Sequence, residues 1–215
     1  GSGPVALAAS LAPYAPLPWI VHGPNGLELV ERKTGAAAHS LGRLKGFHGQ
    51  MGMFVRALAY MMSHGSDGLR QVAEDAVLNA NYLRARLEGE LSLSFAGSCM
   101  HEVLFDDRFL KDSGVTTLDF AKALIDEGYH PMTMYFPLIV HGAMLIEPTE
   151  AESKASLDQF VEAVKALAAT ARADEGSRFR ASPVLAPRRR LDETTAARKP
   201  VLRWRPPPQR REAAE

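Results

Sequence analysis

The spacing of apolar positions changes period along the chain and predicts an alternation of helices and short strands. Phe54, Val55, Leu58 and Met62 fall at i, i+1, i+4 and i+8, which puts them on one helical face. Gly65 offers a left-handed stop. Ser66 or Asp67 is then placed to cap a second, longer helix with a stripe of Leu69, Val72, Ala73, Ala76, Ala80, Leu83 and Leu87. At about 20 residues this helix would run roughly 30 Å, a suitable length for a strut between two domains. The period then falls to two. In Met100–Phe105, His101, Val103 and Phe105 share one face of a predicted strand, and Met100, Glu102 and Leu104 the other. A helix is expected over 117–127, with Leu118, Ala121, Leu124 and Ile125 inward and Gly128 as its stop. Two short strands fit Thr133–Phe136 and Ala143–Glu147. The run Thr149-Glu150-Ala151-Glu152 has the pattern of a capping box and predicts the start of a last helix, with Leu157, Phe160, Val161, Val164, Leu167 and Ala168 buried. Ahead of all these, Pro4, Pro13, Pro16, Pro18 and Pro24 exclude long helices, and residues 19–30 read as two strands around Gly23-Pro24-Asn25-Gly26.

This order predicts an α/β fold, a small sheet with helices on one face plus a long linking helix. The expected division is 1–65 as the end of a larger domain, 66–90 as the linking helix, 91–175 as a small C-terminal α/β domain, and 176–215 as a basic irregular tail. The first ninety residues contain helices but too few strands to cover them, as at the edge of something larger.

Composition adds exclusions. Hydrophobic residues make up 46% and charged residues 23% of the 215, ordinary for a globular protein. No apolar run approaches the roughly 18 residues of a membrane span, and no basic start precedes the proline-broken N-terminus, so neither a span nor a signal peptide is expected. The single cysteine, Cys99, excludes an internal disulfide framework and a multi-cysteine zinc site, and fits a reducing cytoplasm. The net charge of zero hides an asymmetry. Residues 176–215 hold ten arginines and Lys199 against four acids, a balance of +7, so the remainder sums to −7. A basic tail can bind nucleic acid, but only Phe179 and Trp204 are available for base stacking. Contact with the acidic body of its own protein, or with a partner subunit, is the favoured expectation.

The residues carry no self-contained catalytic motif: no phosphate-binding loop ending in Gly-Lys, no Gly-x-Ser-x-Gly elbow and no His-Glu-x-x-His helix. His101 and His130 are the best polar candidates. A core histidine with one satisfied hydrogen bond explains His101 at least as well as a site does. His130 either contacts a ligand at a loop mouth or caps the preceding helix. Capping explains Glu150 and Glu152 but leaves Glu147 unexplained. Cys99 is expected to be an inert, partly buried thiol, and Met51, Met53, Met61 and Met62 to be core filler.

Longer strings go further. They include Gly1-Ser2-Gly3-Pro4-Val5, Gly46-Phe47-His48-Gly49-Gln50-Met51-Gly52, Ala76-Val77-Leu78-Asn79-Ala80-Asn81-Tyr82-Leu83 and Cys99-Met100-His101-Glu102. They continue with Gly128-Tyr129-His130-Pro131-Met132-Thr133-Met134-Tyr135-Phe136-Pro137-Leu138, Ile146-Glu147-Pro148-Thr149-Glu150-Ala151-Glu152 and Ala196-Ala197-Arg198-Lys199-Pro200-Val201-Leu202. In this order they resemble subunit 2 of the glycine decarboxylases, the P-proteins of the glycine cleavage system, from residue 1 to about residue 204.

The resemblance implies the C-terminal portion of a fold-type-I pyridoxal-phosphate enzyme. Its parent would decarboxylate glycine and pass the aminomethyl group to the lipoyl arm of the H-protein, in partnership with P-protein subunit 1. In this family the Schiff-base lysine lies in a His-Lys-Thr segment ahead of a Gly-rich loop that runs into Gly-Ser-Gly-Pro. That places the lysine upstream of residue 1, so no catalytic residue is expected here, and none of the seven lysines, Lys45 included, matches the segment. Gly1, Ser2 and Gly3 would close the cofactor loop. His48, His101, His130 and Thr133 are substrate-side candidates, and no metal ligand is expected. An aminotransferase- or desulfurase-like enzyme of the same fold type and a non-catalytic module with a basic tail are the alternatives. The fragment alone is expected to be inactive.

Overall fold

The structure is a computed structural model that describes residues 3–46, 49–173, 176–204 and 206. It divides into two compact units, Gly1–Leu69 and Arg70–Glu215. In the first, strands β1 (Trp19–Gly23) and β2 (Gly26–Val30) form the expected antiparallel hairpin, with Trp19 opposite Val30 and Gly23 opposite Gly26. The tight turn needs a positive φ, and Gly26 supplies it at 111°. One face of the hairpin is uncovered, with Ile20 and Leu27 each 70% exposed, while Trp19, Val21 and Val30 on the other face are half-buried. Beside it, buried Ser40 donates to the Ala15 carbonyl at 2.7 Å and accepts from the Gly42 amide at 3.0 Å. Helix α1 (Met51–Leu87) follows and is broken at Gly65, whose φ of 65° and ψ of −175° no helix tolerates. Gly65 is thus the interruption that the sequence marked.

The second unit contains a core of its own. Ala76, Ala80, Leu83 and Leu87 are the buried stripe of α1. The antiparallel sheet has the order β3 (Ser92–Leu93), β4 (Val103–Asp106), β6 (Met144–Ile146), β5 (Thr133–Met134). Val103, Phe105, Met144 and Ile146 point into the core, while Leu104 and Leu145 on the alternate face are half-buried. Helices α2 (Thr117–Asp126) and α3 (Lys154–Arg172) bury Phe120, Leu124, Leu157, Val161 and Val164 in the same cluster. Strand β3 was not expected; two residues are too few to leave a periodic signal.

Three further expectations need correction. The capping box lies at α2, where Thr116 accepts from the Asp119 amide at 3.2 Å and Asp119 accepts from the Thr116 amide at 3.0 Å. No such box forms at Thr149, which sits in a turn at φ 61°. There the Asn79 side chain donates to the carbonyls of Thr149 (2.9 Å) and Glu152 (3.3 Å), and Ser153 caps α3 instead by accepting from the Ser156 amide. His101 is not a core histidine: β4 begins two residues later, and the imidazole is exposed. The basic tail is also not wholly irregular. Helices α4 (Gly176–Ala181) and α5 (Glu193–Arg198) form within it, and Phe179 of α4 is fully buried, stacked on Phe120 at 6.2 Å.

The start of this tail is held to α2 by charge. Arg190 meets Asp119 at 2.7 Å, Arg178 meets Glu127 at 2.6 Å, and Asp126 accepts from the Val184 and Leu185 amides. Burial works against ionisation of Asp119, but hydrogen bonds from Thr116 and the Arg190 guanidinium outweigh it and hold the carboxyl below its ordinary range. Asp126 is lowered likewise, the Leu185 and Val184 amides overcoming partial desolvation. A second brace joins α1 to α3. Asp158 receives hydrogen bonds from the Tyr82 hydroxyl, from Lys154 at 2.6 Å and from Arg86 at 2.8 Å. The Lys154 and Tyr82 bonds lead in lowering its pKa from 3.8 to about 2.

Two outcomes are expected. Phe179→Ala should cost about 3–5 kcal/mol in denaturant unfolding, because it empties a site enclosed by Phe120 and the core; a loss within the error of a surface substitution would show that α4 is not part of the core. Since the folded Asp158 pKa lies below its unfolded value, its contribution is complete above about pH 5 and fades as pH falls toward 2. Asp158→Asn should therefore flatten the acid side of a Tm-versus-pH curve, and an unchanged slope would contradict the brace.

Candidate functional site

Within the second unit, a cavity of about 610 Å³ opens between α1, the segment after α2, the end of β6 and the start of α3. Its apolar wall is Leu83 of α1, Met132, Ile146, and Leu157 and Phe160 of α3, with Tyr129 edge-on to Phe160 at 5.3 Å. Its polar groups are His130, Thr133, Glu147, Thr149, Glu152, Ser156 and Gln159. Apolar walls with a few convergent polar groups are the usual make-up of a small-ligand site.

Local chain geometry brings these groups together. Helix α2 ends in a Schellman motif: Gly128 at φ 86° donates to the Ile125 carbonyl at 3.0 Å, and Tyr129 donates to that of Leu124 at 3.0 Å. The reversal carries His130 to the cavity rim and leads into β5, whose first residue is Thr133. Glu147 and Pro148 leave β6 on the neighbouring side, and the two Asn79 hydrogen bonds hold the Thr149–Glu152 turn in place. Tyr135, at φ 57°, accepts at its hydroxyl from the Leu118 amide and so ties the end of β5 to the first turn of α2.

Of the residues singled out from sequence, His130 and Thr133 line this cavity together. His101 approaches it from outside, its Nε2 4.0 Å from Glu147 Oε1 with both side chains exposed. Gly3 is exposed and belongs to the other unit. Gly1, Ser2 and His48 lie outside the described residues. Sequence reasoning missed Thr149, Glu152, Ser156 and Gln159 as cavity residues because the predicted helix start absorbed the first two. Glu147, left unexplained by capping, was the available signal.

Other reactive groups stay apart. Cys99 is half-buried, burial pushes its thiol pKa up, and its backbone is clasped by the Asn81 side chain at 2.7 and 3.1 Å. Among the described residues, no group of three or more His, Cys, Asp or Glu is arranged to hold a metal ion. No lysine lines the cavity, and Lys154 nearby is committed to Asp158. The described residues therefore do not fit pyridoxal phosphate as a complete site.

The comparisons with known proteins agree on a family. The model of the glycine dehydrogenase C-terminal domain matches residues 72–185. A probable glycine dehydrogenase (decarboxylating) subunit 2 from Caulobacter vibrioides is 64% identical over 208 residues, covering 96% of this chain and 40% of the relative. A second, from Kosmotoga olearia, is 46% identical and covers 96% of this chain and 42% of the relative. The chain thus spans about two fifths of the length of these relatives. Among solved structures, glycine decarboxylase (P-protein) of the glycine cleavage system in inhibitor-bound form is similar with a TM-score of 0.57 at 18% identity, covering 74% of this chain and 37% of that one. At that identity the likeness bears on the fold, and it bears out the α/β, fold-type-I expectation. By the family match and the relatives together, the chain belongs to the glycine dehydrogenase (decarboxylating) subunit 2 family and carries its C-terminal domain.

Proposed function

We propose that this chain is the C-terminal part of a cytoplasmic protein that decarboxylates glycine with pyridoxal 5'-phosphate, working with P-protein subunit 1 and delivering the aminomethyl group to the lipoyl arm of the H-protein. The observation that carries the proposal is the 64% identity, over nearly the whole chain, to a protein named as subunit 2 of that enzyme. The relatives' names do not favour an aminotransferase- or desulfurase-like assignment. A silent nucleic-acid module is disfavoured by Arg178 and Arg190, which are already engaged with acids of α2. Among the described residues, no helix is long and apolar enough to cross a membrane.

In the complete enzyme the cofactor supplies the electron sink for loss of the carboxylate, and the groups that hold it lie mainly outside this chain. Gly1, Ser2 and Gly3 are assigned to the end of the cofactor loop, and His48 to the substrate side. The His130 imidazole and Thr133 hydroxyl, which share the 610 Å³ cavity, are assigned to the substrate side. His101 is a further substrate-side candidate, its imidazole 4.0 Å from Glu147 at the cavity's edge. In this assignment residues 1–65 end the cofactor domain, 66–90 link it to the small domain at 91–175, and the basic tail runs from 176, its stretch from Arg178 to Arg190 lying against α2.

The isolated chain mixed with pyridoxal phosphate and glycine should release no CO2. A chimera in which this chain replaces the matching 208 residues of the Caulobacter relative should restore glycine decarboxylation with subunit 1 and H-protein present. A folded but inactive chimera, or an active isolated chain, would contradict the assignment. In the active chimera, joint His130→Ala and Thr133→Ala changes should lower kcat/KM by about tenfold or more with Tm unchanged; unaltered kinetics would remove the cavity from the site.

A further inference from the structure

Strand β6 ends at Ile146, and the chain must turn before α3 begins at Lys154. Glu147, Pro148, Thr149 and Glu152 of that turn all line the cavity, so its path decides where part of the cavity wall lies. The local sequence is poorly suited to this path. Thr149 is β-branched and sits at φ 61°, a left-handed conformation that such residues rarely adopt. Its hydroxyl accepts from the Ala151 amide at 3.2 Å, a contact made inside the turn itself. A restraint from outside comes from α1. The half-buried Asn79 side chain donates from its amide nitrogen to the Thr149 carbonyl at 2.9 Å and to the Glu152 carbonyl at 3.3 Å.

One side-chain amide thus holds both ends of the segment 149–152. Asn79 lies one helical turn before Leu83, the residue with which α1 forms its share of the apolar wall. Helix α1 therefore supplies a wall residue and also a clamp on the polar turn. The Asp158 brace does not duplicate that clamp, because it joins Tyr82 and Arg86 to α3 rather than to the turn. We infer that Asn79 is a positioning residue of the cavity. By clamping the Thr149 and Glu152 carbonyls it keeps Glu147, Thr149 and Glu152 on the cavity wall, and it sets substrate affinity without touching substrate. This rests on the reading that the cavity is the substrate side of the proposed enzyme.

The role has a kinetic signature, since a displaced wall weakens ground-state and transition-state binding alike and so raises KM while sparing kcat. In the active chimera, Asn79→Ala should raise KM for glycine about tenfold with kcat within about twofold of the parent. Asn79→Gln, which keeps the amide donor, should bring KM back to within about threefold. Alanine is the better helix former, so the change does not weaken α1 itself. A contact that only stabilised the fold would lower Tm and leave KM where it was. The present chain supplies a second measurement that needs no activity. Hydrogen exchange at the Ala151 amide should quicken about tenfold in Asn79→Ala, while exchange at Val161 and Val164, buried on α3, should stay as in the parent. Unchanged KM in Asn79→Ala, no recovery in Asn79→Gln, or unaltered exchange at Ala151 would each overturn the inference. An inactive parent chimera counts instead against the functional assignment, and the exchange measurement then decides whether Asn79 clamps the turn.

Discussion

One face of a small sheet must be kept from water, and most of the second unit follows from how that is done. The strands run from two to four residues, too short for hydrogen bonding between them to hold the sheet alone. Val103, Phe105, Met144 and Ile146 therefore need α2, α3 and the second half of α1 as their cover. Each helix is fixed at its ends as well as along its face. Thr116 and Asp119 set where α2 begins, the Gly128 reversal sets where it stops, and the Asp158 cluster sets the distance between α1 and α3. These restraints decide the position of the segments that border the cavity.

The carboxylates of α2 show how one group serves several contacts. Asp119 closes the capping box and also receives Arg190 from seventy-one residues later, while Asp126 and Glu127 take the Val184 amide and Arg178. A surface ion pair is worth little by itself. Here the pairs flank Phe179, whose burial against Phe120 supplies the larger share, and the charges set direction and register. The +7 excess of the tail is thus partly spent on its own domain.

Local chemistry was legible in the sequence wherever it was sufficient by itself. Gly26, Gly65 and Gly128 occupy conformations that favour glycine, so the hairpin, the helix break and the α2 stop could all be read without tertiary information. What failed was decided by distant partners. Thr149 has the right neighbours for a capping box, yet Asn79, seventy residues earlier, takes the carbonyls that fix its turn. His101 keeps strand alternation with Val103 and Phe105, but pairing with β6 starts only at Val103, opposite Ile146, which leaves the histidine outside the sheet. Phe179 sits in an arginine- and proline-rich segment whose composition conceals one buried anchor. The cavity was half legible for the same reason: His130 and Thr133 share one string, whereas Leu83, Glu147 and Phe160 join them only through the fold.

The two units place different demands on their surroundings. Arg70–Glu215 encloses three phenylalanines, Phe105, Phe120 and Phe179, at zero exposure together with a continuous aliphatic cluster, so its folding free energy comes from contacts it makes itself. Gly1–Leu69 presents a hairpin with one face exposed and a helix start with an apolar stripe, and hydrogen bonds around Ser40 do not compensate for that much wet surface. Stability and chemistry therefore divide at different places. The second unit can hold its cavity in shape without the first, and the polar groups it gathers there are fixed by its own caps and turns. The decarboxylation proposed above would need a cofactor lysine, and no lysine lines this cavity. The cavity's polar groups stand outside the buried cluster, so changing them alters the cavity's lining without touching what holds the second unit together.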